Sequence, residues 1–307
     1  MKKKEGLFDS SCVGQKIQYY IYEPKQTPIA IIQLSHGMCE YVERYEEFAL
    51  DCCNKGIIFC GHDHLGHGNT GKYNNSFGYF SPKDGDQYVV EDLHIFTTIM
   101  KEKYPGIPCF LFGHSMGSFI ARSYLSKYEK DIQGCIICGT AGKNPLSGIG
   151  CILCKALGMV KGGRNSSKLI NNMALGAYNK GFKKETGVEW LSRDEQICQK
   201  YIRDPYCTFS FSIHAYRDLF KLLTTVNEDS WYTSFAVEFP VFLVAGDKDP
   251  VGENGKGVRE VYDHLIQTGH KNVELKLYQD ARHELLNEIN KEEVSNDFME
   301  WVLKYCS

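Results

Sequence analysis

A chain of 307 residues is long enough to bury a full core, and one large domain, or one domain carrying an insertion, is the expectation. Its composition, 43% hydrophobic and 24% charged with a formal net charge of −3, is ordinary for a globular protein and lacks the basic surplus that a nucleic-acid partner requires. The opening lysines are not followed by the apolar stretch of a secretion signal, and no run reaches the roughly 18 apolar residues of a membrane span, so a cytoplasmic location is expected.

Apolar patterning predicts strands over 16–22 and 29–34, joined by a turn that holds Pro24 and Pro28. A helix is expected over 41–55, a short apolar strand over 57–60 and an amphipathic helix over 88–104. A strand at 108–112, a helix at 118–128 and a buried strand at 132–138 follow. The same rhythm resumes with a strand over 240–245, a helix over 257–269, a strand over 273–278 and a closing helix over 292–305. Alternation of helices with continuous apolar strands implies an α/β fold whose mostly parallel sheet is covered on both faces.

Between residues 140 and 237 the rhythm breaks. Helical patches appear at 146–157, 166–178, 194–201 and 215–226, with no convincing buried strand. The chain therefore divides into a core (1–139 and 238–307) and a helical cap (140–237) placed over the carboxyl ends of the strands, where such folds bind ligands.

The stretch Gly113-His114-Ser115-Met116-Gly117 lies between an apolar strand and a helix, the setting of a nucleophile elbow. A turn that tight excludes large side chains two residues either side of the serine, and the hydroxyl stands at a helix N-terminus. A serine nucleophile needs a base and an acid that orients the base, in the chain order Ser, Asp, His. Gly246-Asp247-Lys248-Asp249-Pro250 follows the strand over 240–245, and Asp280-Ala281-Arg282-His283-Glu284 follows the strand over 273–278. Asp249 and His283 are the expected acid and base. Asp247 is the rival acid, but it lies closer to the strand end than a carboxylate turning back over the sheet should. The N–H groups of Met116 and of Met38, in Ser35-His36-Gly37-Met38, are the expected oxyanion donors.

Two clusters suggest metal chemistry instead. His62, His64 and His67 have the histidine spacing of metallo-β-lactamase-like hydrolases, but Gly66 stands where a second aspartate belongs. Cys135, Cys138, Cys151 and Cys154 have zinc-ribbon spacing, yet Ile136-Ile137 and Ile152-Leu153 replace the residues that bend a zinc knuckle. The thirteen cysteines are read as reduced thiols serving as small core residues. No metal or organic cofactor is expected.

Taken together, the chain over about 15–305 resembles the monoacylglycerol lipase/lysophospholipase group of α/β-hydrolases, bacterial members in particular. The resemblance rests on His36-Gly37-Met38 with Glu40 and Arg44-Tyr45, on Asp63-His64-x-Gly66-His67-Gly68, on the Ser115 elbow, on Gly246-x-x-Asp249 and on Ala281-Arg282-His283-Glu284. It implies an oxyanion loop, a bracing turn in which His62, His64 and His67 are structural, the nucleophile, the triad acid and the triad base. Cys39 and Tyr41 depart from the small residue and histidine common in the group. The implied activity is hydrolysis of an acyl ester with a small or polar alcohol, a monoacylglycerol or lysophospholipid. The alternatives are the metallohydrolase, a small-ester esterase and a scaffold without activity. Aromatic and aliphatic residues of the cap, Leu153, Leu157, Tyr178, Phe209 and Phe211 among them, are expected to bind the acyl chain, with polar Glu189 and Arg193 mattering less. Transient contact of the cap with a membrane or micelle surface is a further expectation.

Overall fold

A computed structural model describes residues 1–306. Its eight strands form one sheet in the order β1-β2-β4-β3-β5-β6-β7-β8. β1 (Lys2–Asp9), β2 (Lys16–Glu23) and β4 (Ile57–His62) pair antiparallel; β3 (Ala30–Ser35), β5 (Cys109–His114), β6 (Gly134–Cys138), β7 (Val241–Gly246) and β8 (Val273–Tyr278) run parallel to β4 and to one another. Every residue of β3 to β7 is buried, as unbroken apolar runs require when helices cover both faces.

One face is covered by α1 (Glu46–Asn54) and α10 (Lys291–Lys304), which close Phe48, Phe298 and Trp301 over Phe59, Phe112 and Phe242. The other is covered by α3 (Gly85–Lys103), α4 (Met116–Tyr128) and α9 (Lys256–Gln267), which bury Leu93, Ile120 and Val261 against Ile31, Leu111 and Leu243. Cys135 and Cys138 belong to these opposite faces, so they serve two packing layers and cannot share an ion.

Two elements escape the sequence pattern. β1 is an edge strand opened by three consecutive lysines, with exposed residues alternating against Lys4, Gly6 and Phe8; the charges blunt the edge but resemble a charged leader in sequence. α2 (Gly68–Tyr73) has six residues, too few to show a period. The helix expected over 41–55 opens as a tight 3₁₀ turn, Val42–Tyr45, before α1 begins.

Between β6 and β7 lie four helices, α5 (Pro145–Lys161), α6 (Lys168–Leu175), α7 (Glu195–Arg203) and α8 (Ile213–Thr225). Side chains of Asn144, Asp194 and Ser212 cap α5, α7 and α8 by accepting from N–H groups of their first turns. No helix of the described residues is long and apolar enough to cross a membrane.

Candidate active site

β5 ends at His114, α4 begins at Met116, and Ser115 alone makes the turn at φ 54°, ψ −122°. A residue with a Cβ is strained there, and the strain is held by neighbours. The Ser115 N–H donates to the Cys138 carbonyl at 2.9 Å, and the Ser118 hydroxyl donates to the Ser115 carbonyl at 2.6 Å. A Cβ on Gly117 would collide with the Ser35 carbonyl, and one on Gly113 with the Gly117 carbonyl and the Ala121 methyl. Both glycines are thus demanded by close approach of backbone.

Asp249 and His283 arrive from the loops after β7 and β8. Asp249 Oδ2 accepts from His283 Nδ1 at 2.8 Å, while Oδ1 accepts from the Val251 N–H at 2.9 Å. Both side chains are buried, which strengthens the pair and fixes one imidazole tautomer. Asp247 instead faces outward, accepting from the Asp280 N–H and pairing with Lys248. Ser115 and His283 line one cavity, together with Met38 and Met116. Met116 is the first residue of α4, so its N–H stands at a helix N-terminus.

Behind Ser115, Asp249 and His283 a second polar layer holds these loops. His114 Nδ1 lies 2.8 Å from Glu40 Oε1 and 2.9 Å from the Tyr45 hydroxyl, and its Nε2 donates to the His283 carbonyl at 3.3 Å. Glu40 also accepts from the Gly37 N–H, tying down the loop after β3 that carries Met38. Arg44 reaches Glu40 at 3.1 Å and grips Glu284 with two bonds of 2.8 and 2.7 Å. Burial alone would push Glu40 up, yet His114 and Arg44 hold its carboxyl well below the usual range. His114 is raised above its ordinary value although burial opposes this, because Glu40 lies against it.

The histidine cluster braces the loop after β3 through Ser35 and His36. His64 donates its N–H to His36 Nε2 at 3.0 Å, the Ser35 hydroxyl meets His64 Nε2 at 3.1 Å, and His67 Nδ1 donates to the Leu65 carbonyl at 3.0 Å. All four imidazoles are buried. Burial lowers His36 and His62 to about 3 and His67 to about 4, so the cluster is neutral at pH 7. Among the described residues, no group of three or more His, Cys, Asp or Glu is placed to hold a metal ion.

The cap places some of the expected acyl-binding residues and displaces others. Tyr178, Phe209 and Phe211 line the cavity, as do Tyr201, Tyr216 and Phe220. Leu153 and Leu157 do not; they pack, half buried, at the interface within the cap. Only the first turn of α5, Leu146 and Ser147, reaches the cavity. At 1.5 Å of rise per residue, Leu153 and Leu157 stand about 10 and 16 Å further along the helix. Glu189 and Arg193 are likewise structural rather than incidental. Glu189 accepts from the N–H groups of Glu185 and Gly187, and Arg193 pairs with buried Glu288 at 2.7 Å.

Two residues at the site carry no sequence signal strong enough to find them. Gly139, at φ 60°, presents its Cα to the triad; a Cβ there would lie 3.1 Å from His283 Cε1. Trp190, from the cap, packs its ring 5.0 Å from that of His283, and its carbonyl accepts the His283 N–H at 3.3 Å.

Sheet order and the strained elbow put this chain among the α/β-hydrolases, and a serine beside a buried imidazole–carboxylate pair is equipped for carboxylic ester hydrolysis. The chain belongs to the Hydrolase_4 family, described as serine aminopeptidase, S33, whose model matches residues 26–290. It is 24% identical over 298 residues to the monoacylglycerol lipase of Mycolicibacterium smegmatis, covering 95% of this chain and 94% of that one. The monoglyceride lipase of Mus musculus is 26% identical, with 96% and 88% covered. Among solved structures, a thermostable carboxyl esterase from Bacillus coagulans, in complex with glycerol, superposes with a TM-score of 0.94 at 30% identity over 100% of both chains. A soluble variant of Saccharomyces cerevisiae monoglyceride lipase shares the fold, with a TM-score of 0.77 at 22% identity over 99% and 95% of the two chains. The chain is a monoacylglycerol lipase-like carboxylic ester hydrolase.

Proposed function

We propose that this enzyme hydrolyses esters joining an apolar acyl chain to a small polar alcohol, a monoacylglycerol or a lysophospholipid, through an acyl-enzyme on Ser115. The observation that carries this reading is the cavity of about 500 Å³ in front of Ser115, walled by Phe119, Leu146, Met173, Leu219, Phe220 and Leu223. Apolar walls of this kind stabilise alkyl chains by removing them from water.

Ser115 Oγ attacks the ester carbonyl while His283 takes its proton; the Met38 and Met116 N–H groups stabilise the oxyanion. His283 returns the proton to the departing alkoxide, and Asp249 keeps the imidazole oriented and stabilises its charged form. Water then attacks the acyl-enzyme, giving its proton to His283, and Ser115 is regenerated with release of the fatty acid. The cavity wall offers no free carboxylate to receive the amino end of a peptide, which favours esters. Glu40 and Glu284 are committed to His114 and Arg44, leaving them poorly suited to hold a substrate ammonium.

The cap supplies a route for lipid. Residues 140–184 contain eight lysines and arginines and no acidic residue, in a chain of net charge −3. Leu146, Ile149, Ile152, Met159 and Val160 form an exposed stripe on α5 that starts at the cavity rim. An apolar stripe flanked by cations fits transient contact with an anionic lipid surface. The enzyme's free cysteines fit a reducing cytoplasm.

A panel of esters varying acyl length and alcohol separately tests the reading. Wild type is expected to prefer medium and long acyl chains, and Ser115→Ala to lose at least about a thousandfold in kcat while remaining folded. Equal rates from acetyl to decanoyl esters would leave a small-ester esterase instead.

A further inference from the structure

Arg122 lies on α4, two turns beyond Ser115, and its side chain is completely buried. Its hydrogen-bond partners among the described residues are neutral oxygens. Nη1 donates to the Ala141 carbonyl at 3.0 Å and to the Thr140 hydroxyl at 3.3 Å. Nη2 donates to the Val226 carbonyl and, at 3.1 Å, to the Asn227 side-chain oxygen. The Trp231 ring covers the guanidinium plane, with Cζ 4.3 Å from the ring, and the indole N–H donates to the Arg122 carbonyl at 2.6 Å. Burial lowers this guanidinium only to about 10, so it stays charged at neutral pH.

Glu260 acts on this charge only at a distance, and a charge buried without a carboxylate in hydrogen-bond reach is costly, whereas an apolar side chain of similar volume would fill the same space. The four partners show what the charge accomplishes. Thr140 and Ala141 carry the chain from β6 into the cap; Val226 and Asn227 carry it out of α8 toward β7. Both connections of the cap therefore meet on one side chain of the helix that bears the nucleophile. Asn227 Nδ2 also reaches the Ala141 carbonyl at 3.4 Å, closing the group.

We propose that Arg122 is a positioning residue that fixes the cap over the active-site cavity by holding both of its connections against the nucleophile helix. Ala141 and Leu223, next to these connections, form part of the cavity wall. Slack in the connections would shift that wall while the triad, carried by core loops and by the 189–193 segment that Arg282 and Glu288 anchor separately, keeps its geometry. The consequence falls on substrates that fill the cavity rather than on the chemical step.

The test uses the full chain with Arg122→Lys, Arg122→Met and Asn227→Ala. An ammonium cannot serve both connections at once. In Arg122→Lys, amide exchange at 141–143 and 226–228 is expected to quicken by at least about tenfold, with β3 to β7 unchanged. KM for a decanoyl ester is expected to rise at least about fivefold while kcat for an acetyl ester stays within about twofold. Asn227→Ala removes one oxygen partner of Nη2 and the bond to the Ala141 carbonyl, and is expected to quicken exchange at the same amides, which keeps the test decisive if Arg122→Met fails to fold. The ester readout rests on the acyl-cavity reading, whereas the exchange readout does not, so failure of one is distinguishable from failure of the other. Unchanged exchange at the connections, or an equal increase throughout the sheet, would overturn the proposal.

Discussion

Asp247 and Asp249 stand two residues apart in one loop, and their surroundings give them different work. Asp249 is buried against His283; Asp247 is part exposed and caps the Asp280 N–H. We predict that Asp249→Asn lowers kcat by at least about a thousandfold, because the imidazole loses its orientation, while Asp247→Asn stays within about threefold. Steady-state kinetics on a soluble ester checks the ranking. His62 offers a second residue-level prediction, since neither of its ring nitrogens has a partner among the described residues. Burial depresses its folded pKa from 6.5 to about 3, so the unfolded chain binds a proton there that the folded chain refuses. Its contribution is fully present above pH 6.5 and is lost as the pH falls toward 3. His62→Phe removes that loss and is expected to gain on wild type by about 1.4 kcal/mol per pH unit below 6.5, read from urea midpoints at pH 7.5 and 5. The turn at Ser115 and the meeting of Asp249 with a residue of the loop after β8 could be anticipated from sequence, because glycine spacing and strand ends constrain them. Gly139 and Trp190 could not, since their roles arise only from contacts between distant segments.

At the scale of elements, the parallel strands were legible because burial on both faces leaves unbroken apolar runs, as in β5 and β7. The cap helices were legible as helices, but which face of each meets the cavity was not. In α5 the residues Ser147, Gly150 and Cys154 face inward, with Gly150 admitting the Phe220 ring of α8, and this packing carries Leu153 and Leu157 away from the substrate. The cavity wall is supplied by α8 instead, through Tyr216, Leu219, Phe220 and Leu223, and on the proposed function this wall selects acyl length. Leu223→Trp is therefore expected to reduce kcat/KM for a dodecanoyl ester by at least about tenfold relative to a butanoyl ester, and Leu153→Asp to leave that ratio nearly unchanged. The segment around Trp190 is bound to the base loop by the Glu284 N–H to the Leu191 carbonyl (2.7 Å) and by Arg282 to the Glu189 and Ser192 carbonyls. Arg193→Met strands buried Glu288 without its cation and should destabilise the chain by about 3 kcal/mol, measurable by denaturant titration.

Across the whole molecule, charge and apolar exposure are unevenly shared. The cap's first half is basic and displays the α5 stripe, while the acidic surplus lies elsewhere in the chain. Binding to vesicles of anionic lipid is expected to exceed binding to neutral vesicles by about tenfold and to weaken as salt is raised; equal binding to both would remove the electrostatic part of this picture. These features all converge on the cavity between elbow and cap. The most direct measurement is kcat/KM of the purified enzyme on a homologous series of monoacylglycerols from acetyl to dodecanoyl. Each methylene entering the cavity contributes about 0.8 kcal/mol, so the account predicts a several-fold rise per methylene until the cavity is full, followed by a plateau. A flat series, or hydrolysis that persists in Ser115→Ala, would contradict it.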